Sequence, residues 1–242
     1  MDLTKRLPSF ITLANVAAGI AACAFAVEGR PDLGGLLILA AVLMDSFDGA
    51  LARSLNVASN FGAELDSLAD VVSFGVAPAV LVGSLISWLP LVDRYLGWAL
   101  ITVYPLCAAW RLARFNVAQA ESEEEGHGDF VGLPSTGAGA ATATAVLVLV
   151  RSSEFNVNVH PMVLPCLMAL LAALMVSRIP YKHAGTIIAR MNHAVAIACA
   201  AAFVTASLLW EYEYIFGALM WGYALSGPLA TASHKIRAVR HA

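Results

Sequence analysis

Four aspartates lie in a short polar stretch between two apolar segments of the chain. Asp45 and Asp48 are three residues apart in one predicted helix, and a second pair, Asp66 and Asp70, is four residues apart in the next. These spacings place each pair on one helical face, and a connection of only residues 54–60 makes the two helices antiparallel neighbours. Carboxylates that converge in this way repel one another unless a counter-charge is present. Oxygen-only ligands suit Mg²⁺ or Mn²⁺, so the pattern predicts a divalent-cation site.

Small residues and one arginine accompany these carboxylates. Gly49 follows the first pair directly, and Gly62 lies one turn before the second pair on the same helical face. Glycine lets a flat or bulky group approach the backbone closely, and Ala52 keeps the next turn small. Arg53 supplies a fork-shaped cation that suits a phosphate. Together these residues predict a pocket for a nucleotide pyrophosphate. The alternative is that the charged side chains only extend from a helix end to the membrane surface, which would explain Arg53 but not Asp45.

The elements that position these residues are predicted to be transmembrane helices. Of the 242 residues 60% are hydrophobic and only 13% are charged, too few to cover a soluble domain of this length. A helix needs about 20 mostly apolar residues to cross a bilayer. We therefore expect an all-α integral membrane protein, a polytopic helical bundle of about eight transmembrane helices in a single domain, residues 1–242. The candidate spans are residues 9–27, 33–53, 61–84, 95–115, 133–150, 161–177, 191–210 and 214–231.

The basic residues predict how the chain is oriented. With the N-terminus in the cytoplasm, only Arg30, Arg94 and Arg151 of the 14 lysines and arginines fall at the opposite ends of the spans. We therefore expect a multi-pass protein of the cytoplasmic membrane with both termini, and the acidic cluster, facing the cytoplasm. A cleaved signal peptide ending near residues 24–26 is the alternative, and it would leave seven spans.

The acidic stretch as a whole resembles a family signature. Its defined positions read Asp45-x-x-Asp48-Gly49-x-x-Ala52-Arg53, then eight residues, then Gly62-x-x-x-Asp66-x-x-x-Asp70. This pattern is similar to that of the CDP-alcohol phosphotransferases at every defined position. The resemblance implies a six-helix core, here about residues 8–178, often in a homodimer. Two extra C-terminal helices, about residues 191–231, would lie beyond that core.

The same resemblance implies a reaction and a set of roles. CMP would be displaced from a CDP-linked lipid by an alcohol, and two divalent cations, Mg²⁺ or Mn²⁺, would be held by the four aspartates. Asp45, Asp48 and Asp66 would act mainly as metal ligands. Asp70 would be a ligand and also the base that accepts the proton of the attacking hydroxyl, which is a poor nucleophile until its proton is removed.

Three further stretches resemble one branch of this family. Residues 8–15 (PSFITLAN), 111–116 (RLARFN) and 130–135 (FVGLPS) are similar to stretches of the bacterial and archaeal CDP-diacylglycerol–serine O-phosphatidyltransferases. One departure is Thr136, where a proline is expected. The likeness implies CDP-diacylglycerol and L-serine as substrates, with phosphatidylserine and CMP as products. Glycerol phosphate, inositol phosphate or choline as acceptor, and an archaeal ether lipid as donor, are the alternatives.

Three polar residues outside the signature are candidates for substrate contacts. Arg111 and Arg114 place two guanidinium groups on one helical face, as binding of an acceptor carboxylate or a lipid phosphate requires. Anchoring by the positive-inside rule is their alternative role. Asn15 is predicted to contact the nucleotide, and a polar bond between packed helices is its alternative.

A transporter is the rival to an enzyme, because buried carboxylates also carry ions. Transporter sites tend to lie near the midplane on broken helices of matched repeats. Here the carboxylates form one cluster toward one face, and no second half of the sequence repeats the pattern. We therefore expect an enzyme whose partners are its substrates, membrane lipids and a second copy of the chain, with no nucleic acid.

Overall fold

A computed structural model describes most of the chain. It covers residues 3–54, 60–87, 89–125, 131–154, 159–160, 162–181 and 212–240. Within these ranges the regular structure is helical, and the β-type pairing consists of an isolated bridge between Val131 and Pro180. The predicted all-α class is therefore confirmed for the described residues.

In the described ranges, α-helices are interrupted by a single π-helical turn. The helices are α1 Leu3–Val27, α2 Pro31–Ser54, α3 Asn60–Asp70, the π-helical turn Val71–Val76, α4 Ala77–Ile86, α5 Leu91–Glu125, α6 Ser135–Glu154, α7 Val163–Val176 and α8 Tyr212–Arg240. Because α3, the π-helical turn and α4 follow one another without a break, they form one continuous helix. The predicted aspartate pairs lie on α2 and on the first part of this continuous helix.

Three of the described helices are long and apolar enough to cross a membrane: Pro8–Val27, Phe61–Ile86 and Leu91–Ala118. A shorter apolar helix is formed by Val163–Val176. The chain therefore has the fold of a helical membrane protein, as predicted. The count of eight spans stays a prediction, and its seventh candidate, residues 191–210, lies outside the described residues.

Small residues hold α1 close to its neighbours. Ala22 of α1 and Ala41 of α2 are fully buried, and α1 also packs along the continuous helix that follows α2. A Cβ atom at Gly19 would lie 2.6 Å from Oγ and 2.9 Å from Cα of Ser73. Close helix contacts of this kind depend on small side chains. Gly19 thus allows α1 to pack directly on the π-helical turn.

The π-helical turn begins immediately after Asp70. Its wider spacing is seen where the backbone N–H of Ala77 donates to the carbonyl of Val72, five residues earlier. Phe74 in this turn is fully buried, and the Ser73 hydroxyl donates to the backbone carbonyl of Asn15 at 3.0 Å. Single π-turns in α-helices are frequent at functional sites. Here the turn changes the rotation between Asp70 and the apolar helix α4.

The loop before α6 is fixed on the C-terminal end of α7. Gly132 has a φ of 90°, a left-handed backbone conformation that favours glycine. Its backbone N–H donates to the carbonyl of Ile179 at 2.9 Å, and that of Leu133 donates to Leu174 at 3.1 Å. These bonds determine where α6 begins and, with it, the position of Ser135.

The C-terminal helix α8 packs against α6. The indole N–H of Trp221 donates to the carbonyl of Ala141 at 3.1 Å, and the hydroxyl of Tyr181 donates to the carbonyl of Ala224 at 2.8 Å. A Cβ atom at Gly137, in the first turn of α6, would lie 3.1 Å from the Tyr223 ring. Helix α8, which was predicted to lie beyond the core, therefore supports helix α6.

Candidate active site

Three of the four predicted aspartates converge. Asp45 and Asp48 of α2 and Asp66 of α3 each offer a carboxylate oxygen, and these three oxygens lie within 4.8 Å of one another. Asp48 is only 4% exposed, and the other two side chains are half-buried. The helical spacing and the short connection between the two helices account for this convergence.

Asp70 lies one turn beyond Asp66 and is more deeply buried, at 7% exposure. Its Oδ2 accepts a hydrogen bond of 2.9 Å from the hydroxyl of Ser135, the first residue of α6. Ser135 in turn accepts a hydrogen bond of 3.0 Å from Nη1 of Arg111. Asp70 also interacts electrostatically with Asp45 and with Arg111. The fourth carboxylate therefore joins the acidic cluster to helices α5 and α6.

The donor set fits divalent cations. The converging groups are all carboxylates, the hard oxygen ligands that Mg²⁺ and Mn²⁺ prefer. Oδ1 of Asp66 and Oδ1 of Asp70 are buried and have no hydrogen-bond partner among the described residues. Buried charged oxygens are costly unless they are paired or coordinate a metal. The cluster is therefore able to hold divalent metal ions.

Helix α1 contributes a residue that the sequence analysis left without a role. The hydroxyl of Thr12 lies 3.0 Å from Oδ2 of Asp48 and 3.1 Å from the carbonyl of Pro8, so its single hydrogen is shared between two acceptors. Thr12 therefore holds one carboxylate oxygen of Asp48 from helix α1. Its presence in the 8–15 stretch was the only signal in the sequence.

Asn15 lies one turn beyond Thr12 and is fully buried. Within the described part of the chain, neither Oδ1 nor Nδ2 of its side chain has a hydrogen-bond partner. The predicted alternative, a side-chain bond between packed helices, is therefore not made among those residues. The predicted nucleotide contact stays a prediction.

The small residues of the predicted pyrophosphate pocket lie beside the carboxylates. Gly49 and Gly62 are half-buried on α2 and α3. Ala52 and Arg53 belong to the last turn of α2, and their side chains lie outside the described residues. The pocket prediction is thus located at the facing ends of α2 and α3, and the role of Arg53 stays a prediction.

The two arginines of α5 make different contacts. Arg111 is buried and reaches the acidic cluster through Ser135, and its guanidinium carbon lies 6.0 Å from the centre of the Phe115 ring. Arg114 instead donates to backbone carbonyls. Nη1 donates to Val176 at 3.1 Å, and Nη2 donates to Val131 at 2.9 Å. The predicted acceptor-binding role of both residues stays a prediction, although Arg111 is the one directed at the cluster.

A second polar pair connects α3 to α5. The side-chain amide of Asn116 donates to the Ser67 hydroxyl at 3.0 Å. Ser67 follows Asp66 directly, so this contact fixes the helix at the level of the carboxylates. Asn116 and Ser135 belong to the stretches 111–116 and 130–135, which resemble stretches of known proteins. That resemblance is the signal in the sequence that could have predicted both as site residues.

Comparison with known proteins places this helical membrane protein in one class. The sequence profile of the CDP-alcohol phosphatidyltransferase family matches residues 5–171. The chain belongs to this family, and the family resemblance seen in the sequence is confirmed. Helix α8 lies beyond the matched residues.

Individual relatives narrow the similarity further. The CDP-diacylglycerol–serine O-phosphatidyltransferase of Mycobacterium tuberculosis is 33% identical over 232 residues, covering 95% of this chain and 79% of the relative. The enzyme of the same name from Bacillus subtilis is 33% identical over 178 residues, which cover 73% of this chain and 90% of the relative. The archaetidylserine synthase of Methanothermobacter thermautotrophicus is 37% identical over 131 residues, covering 53% of this chain and 52% of the relative.

Proposed function

We propose that the protein transfers the phosphatidyl group of CDP-diacylglycerol to L-serine, giving phosphatidylserine and CMP. The observation that carries this proposal is the convergence of the aspartates on α2 and α3 in a chain of this family. The names of the relatives support serine as the acceptor. The same names support assignment of the protein as an enzyme of phospholipid biosynthesis.

The four aspartates would hold two divalent cations, Mg²⁺ or Mn²⁺. The carboxylates of Asp45, Asp48 and Asp66 are close enough to share ions, and Asp70 offers a buried oxygen nearby. Bound cations would neutralise charge on the phosphate oxygens and on the departing CMP. Thr12 holds Asp48 in place through its hydroxyl.

Asp70 is the proposed general base. The serine hydroxyl oxygen attacks phosphorus, the bond from phosphorus to the CMP oxygen breaks, and CMP leaves with the electron pair. Asp70 accepts the proton that the hydroxyl loses. One carboxylate oxygen of Asp70 is held by Ser135, whereas the other has no hydrogen-bond partner among the described residues and is able to receive this proton.

The nucleotide and the acceptor would be bound by separate groups. Gly49, Ala52 and Gly62 let the pyrophosphate approach the helix backbones, and Arg53 and Asn15 contact the nucleotide part. Arg111, supported by Arg114, binds the carboxylate of serine or the lipid phosphate by two-pronged hydrogen bonds. Arg111 is favoured for the direct contact because its Nε is buried and has no hydrogen-bond partner among the described residues.

The proposal extends to the membrane arrangement. A six-helix core within about residues 8–178 would lie in the cytoplasmic membrane, with both termini and the active site facing the cytoplasm and the chain paired as a homodimer. Reporter fusions at residue 242 should give cytoplasmic signals, and chemical crosslinking in membranes should give dimers. A C-terminal reporter that is active only outside the cytoplasm would overturn this topology.

An acceptor panel tests the function. Purified protein receives CDP-diacylglycerol together with serine, glycerol phosphate, inositol phosphate or choline, and the release of CMP is measured. We expect release with serine well above that with the other acceptors. The panel is repeated with a CDP-linked ether lipid, because an archaetidylserine synthase is among the relatives. Preference for another acceptor would replace serine while preserving the reaction class.

A further inference from the structure

Ser135, at the start of α6, makes side-chain contacts that are unusual for a serine at the start of a helix. It is fully buried, and its hydroxyl joins side chains from two other helices. It donates to Oδ2 of Asp70 at 2.9 Å and accepts from Nη1 of Arg111 at 3.0 Å. A hydroxyl has one donor hydrogen and two acceptor lone pairs. Donation to Asp70 therefore uses its only hydrogen, and the contact with Arg111 uses a lone pair.

The other buried hydroxyls of α6 behave differently. Thr142, Thr144 and Ser152 donate to carbonyls of their own helix, at 3.0, 2.9 and 2.9 Å. Such bonds satisfy the hydrogen of each hydroxyl within its own helix. Serine at a helix start usually caps the backbone N–H groups of its own first turn. The contacts of Ser135 are directed instead to the residues of the acidic site.

The backbone around Ser135 is anchored, so its hydroxyl has a fixed location. Gly132 and Leu133 are hydrogen-bonded to the end of α7, and Arg114 donates to the carbonyl of Val131. Tyr223 of α8 packs against Gly137, two residues further along α6. Because the backbone is held before and after Ser135, its hydroxyl is able to fix the orientation of the Asp70 carboxylate, which would otherwise rotate.

We propose that Ser135 is a positioning residue for phosphatidyl transfer. It holds Oδ2 of Asp70 so that Oδ1 stays directed to the attacking hydroxyl, and it holds one nitrogen of Arg111 so that Nε stays directed to an anionic group. Oδ1 of Asp70 and Nε of Arg111 are both buried and have no hydrogen-bond partner among the described residues. This inference rests on the proposed function in taking Asp70 as the base and Arg111 as a substrate-binding residue.

The test compares Ser135→Ala with Ser135→Thr, and uses Ser152→Ala as the matched control. Ser152 lies on the same helix, is 8% exposed, and among the described residues its hydroxyl donates to the carbonyl of Leu149 in its own helix. We expect Ser135→Ala to lower kcat by about tenfold to hundredfold, the effect of losing a hydrogen bond to a charged group. The KM for the substrate that Arg111 does not bind should be unchanged. Ser135→Thr should restore most of kcat, and Ser152→Ala should match the wild type.

Binding and stability measurements distinguish positioning from a structural role. CMP binding measured by calorimetry and the melting temperature in detergent should be the same for Ser135→Ala and the wild type. Wild-type kcat in a folded Ser135→Ala protein would overturn the proposal, as would a rise in KM without a fall in kcat. If the alanine variant does not fold, Ser135→Cys, which keeps the size but donates weakly, takes its place. Failure of both to fold would assign Ser135 to the fold instead.

The assay uses whichever acceptor the wild type prefers in the panel. Loss of the serine assignment therefore leaves the test of Ser135 intact, since the proton of any acceptor hydroxyl has to be removed. Conversely, unchanged kcat in the Ser135 variants leaves the serine assignment intact.

Discussion

Replacing each of the two arginines of α5 with lysine should separate substrate binding from support of the fold. Lysine keeps the positive charge and hence the orientation of the helix in the membrane, but loses the planar two-pronged contact of arginine. Arg111 contacts Ser135 beside the acidic cluster, whereas Arg114 contacts carbonyls at the end of α7. We expect Arg111→Lys to change kinetics and Arg114→Lys to change stability.

The effect of Arg114→Lys follows from its hydrogen bonds. Its two shortest bonds, 2.9 Å to Val131 and 3.1 Å to Val176, join the 131–134 loop to the last turn of α7. Arginine uses two separate nitrogens for the two carbonyls, whereas lysine has a single nitrogen, so we expect at least one charge-assisted bond to be lost. For a half-buried group this costs about 1.5 kcal/mol. A loss of that size lowers Tm by about 3–6 °C in a protein of this length.

The effect of Arg111→Lys follows from its burial. Arg111 is 6% exposed, and its hydrogen bond to Ser135 is charge-assisted. Loss of such a bond at a desolvated site costs about 1.5–3 kcal/mol, or a tenfold to hundredfold decrease in kcat/KM. If Arg111 holds the serine carboxylate, the KM for serine should rise. If it holds the lipid phosphate, the KM for the CDP-lipid should rise, and a fall in kcat alone would indicate the transferring phosphoryl group.

The assay is steady-state release of CMP with each substrate varied separately, together with melting curves in detergent. Arg94→Lys is the matched control, because Arg94 lies at the other end of α5 and makes an exposed bond to the carbonyl of Ser87. It should change neither measurement. Wild-type kinetics in Arg111→Lys would refute the binding role. A rise in either KM for Arg114→Lys without a change in Tm would refute the stabilising role of Arg114 and would support its role in binding the acceptor.

Three other changes test the acidic site and its supporting loop. Asp45→Asn and Asp66→Asn should each abolish CMP release because a ligand charge is lost, while insertion is unaffected since a buried charge is removed; wild-type rates in a folded Asp66→Asn protein would contradict the metal site. Excess EDTA should stop turnover, and Mg²⁺ or Mn²⁺ should restore it better than Ca²⁺, whose bonds are longer; full activity in EDTA would exclude a metal requirement. Gly132→Ala should lower Tm, because its φ is 90° and a Cβ atom would meet the carbonyl of Met175; an unchanged Tm would contradict the docking of the loop.

Helical periodicity made the acidic cluster predictable. Spacings of three and four place residues on one helical face, and a short connection between two helices leaves them side by side. Asp45, Asp48 and Asp66 therefore converge as the sequence indicates. The all-helical class followed from composition in the same way, since long apolar runs have few other solutions in a membrane.

The contacts that complete the site depend on packing between distant segments. Ser135 reaches Asp70 only because the 131–134 loop is fixed on the end of α7. Packing between distant segments also separates the contacts of Arg111 from those of Arg114. Their spacing of three residues predicted only that both lie on one helical face. The π-helical turn after Asp70 has no recognised sequence pattern, and α1 packs closely against it at Gly19.

The contact between Asp70 and Ser135 has a consequence for synthesis of the protein. The two residues are 65 positions apart, so at about 5–20 residues per second the ribosome makes Asp70 about 3–13 s before its partner. During that interval the helix from Asn60 to Ile86 enters the membrane with its carboxylate unsupported by α6. Its own apolar residues, each favouring insertion by about 0.3–0.6 kcal/mol, have to offset the aspartates. A nascent chain that ends before α6 thus carries all four aspartates but lacks the hydroxyl that holds Asp70.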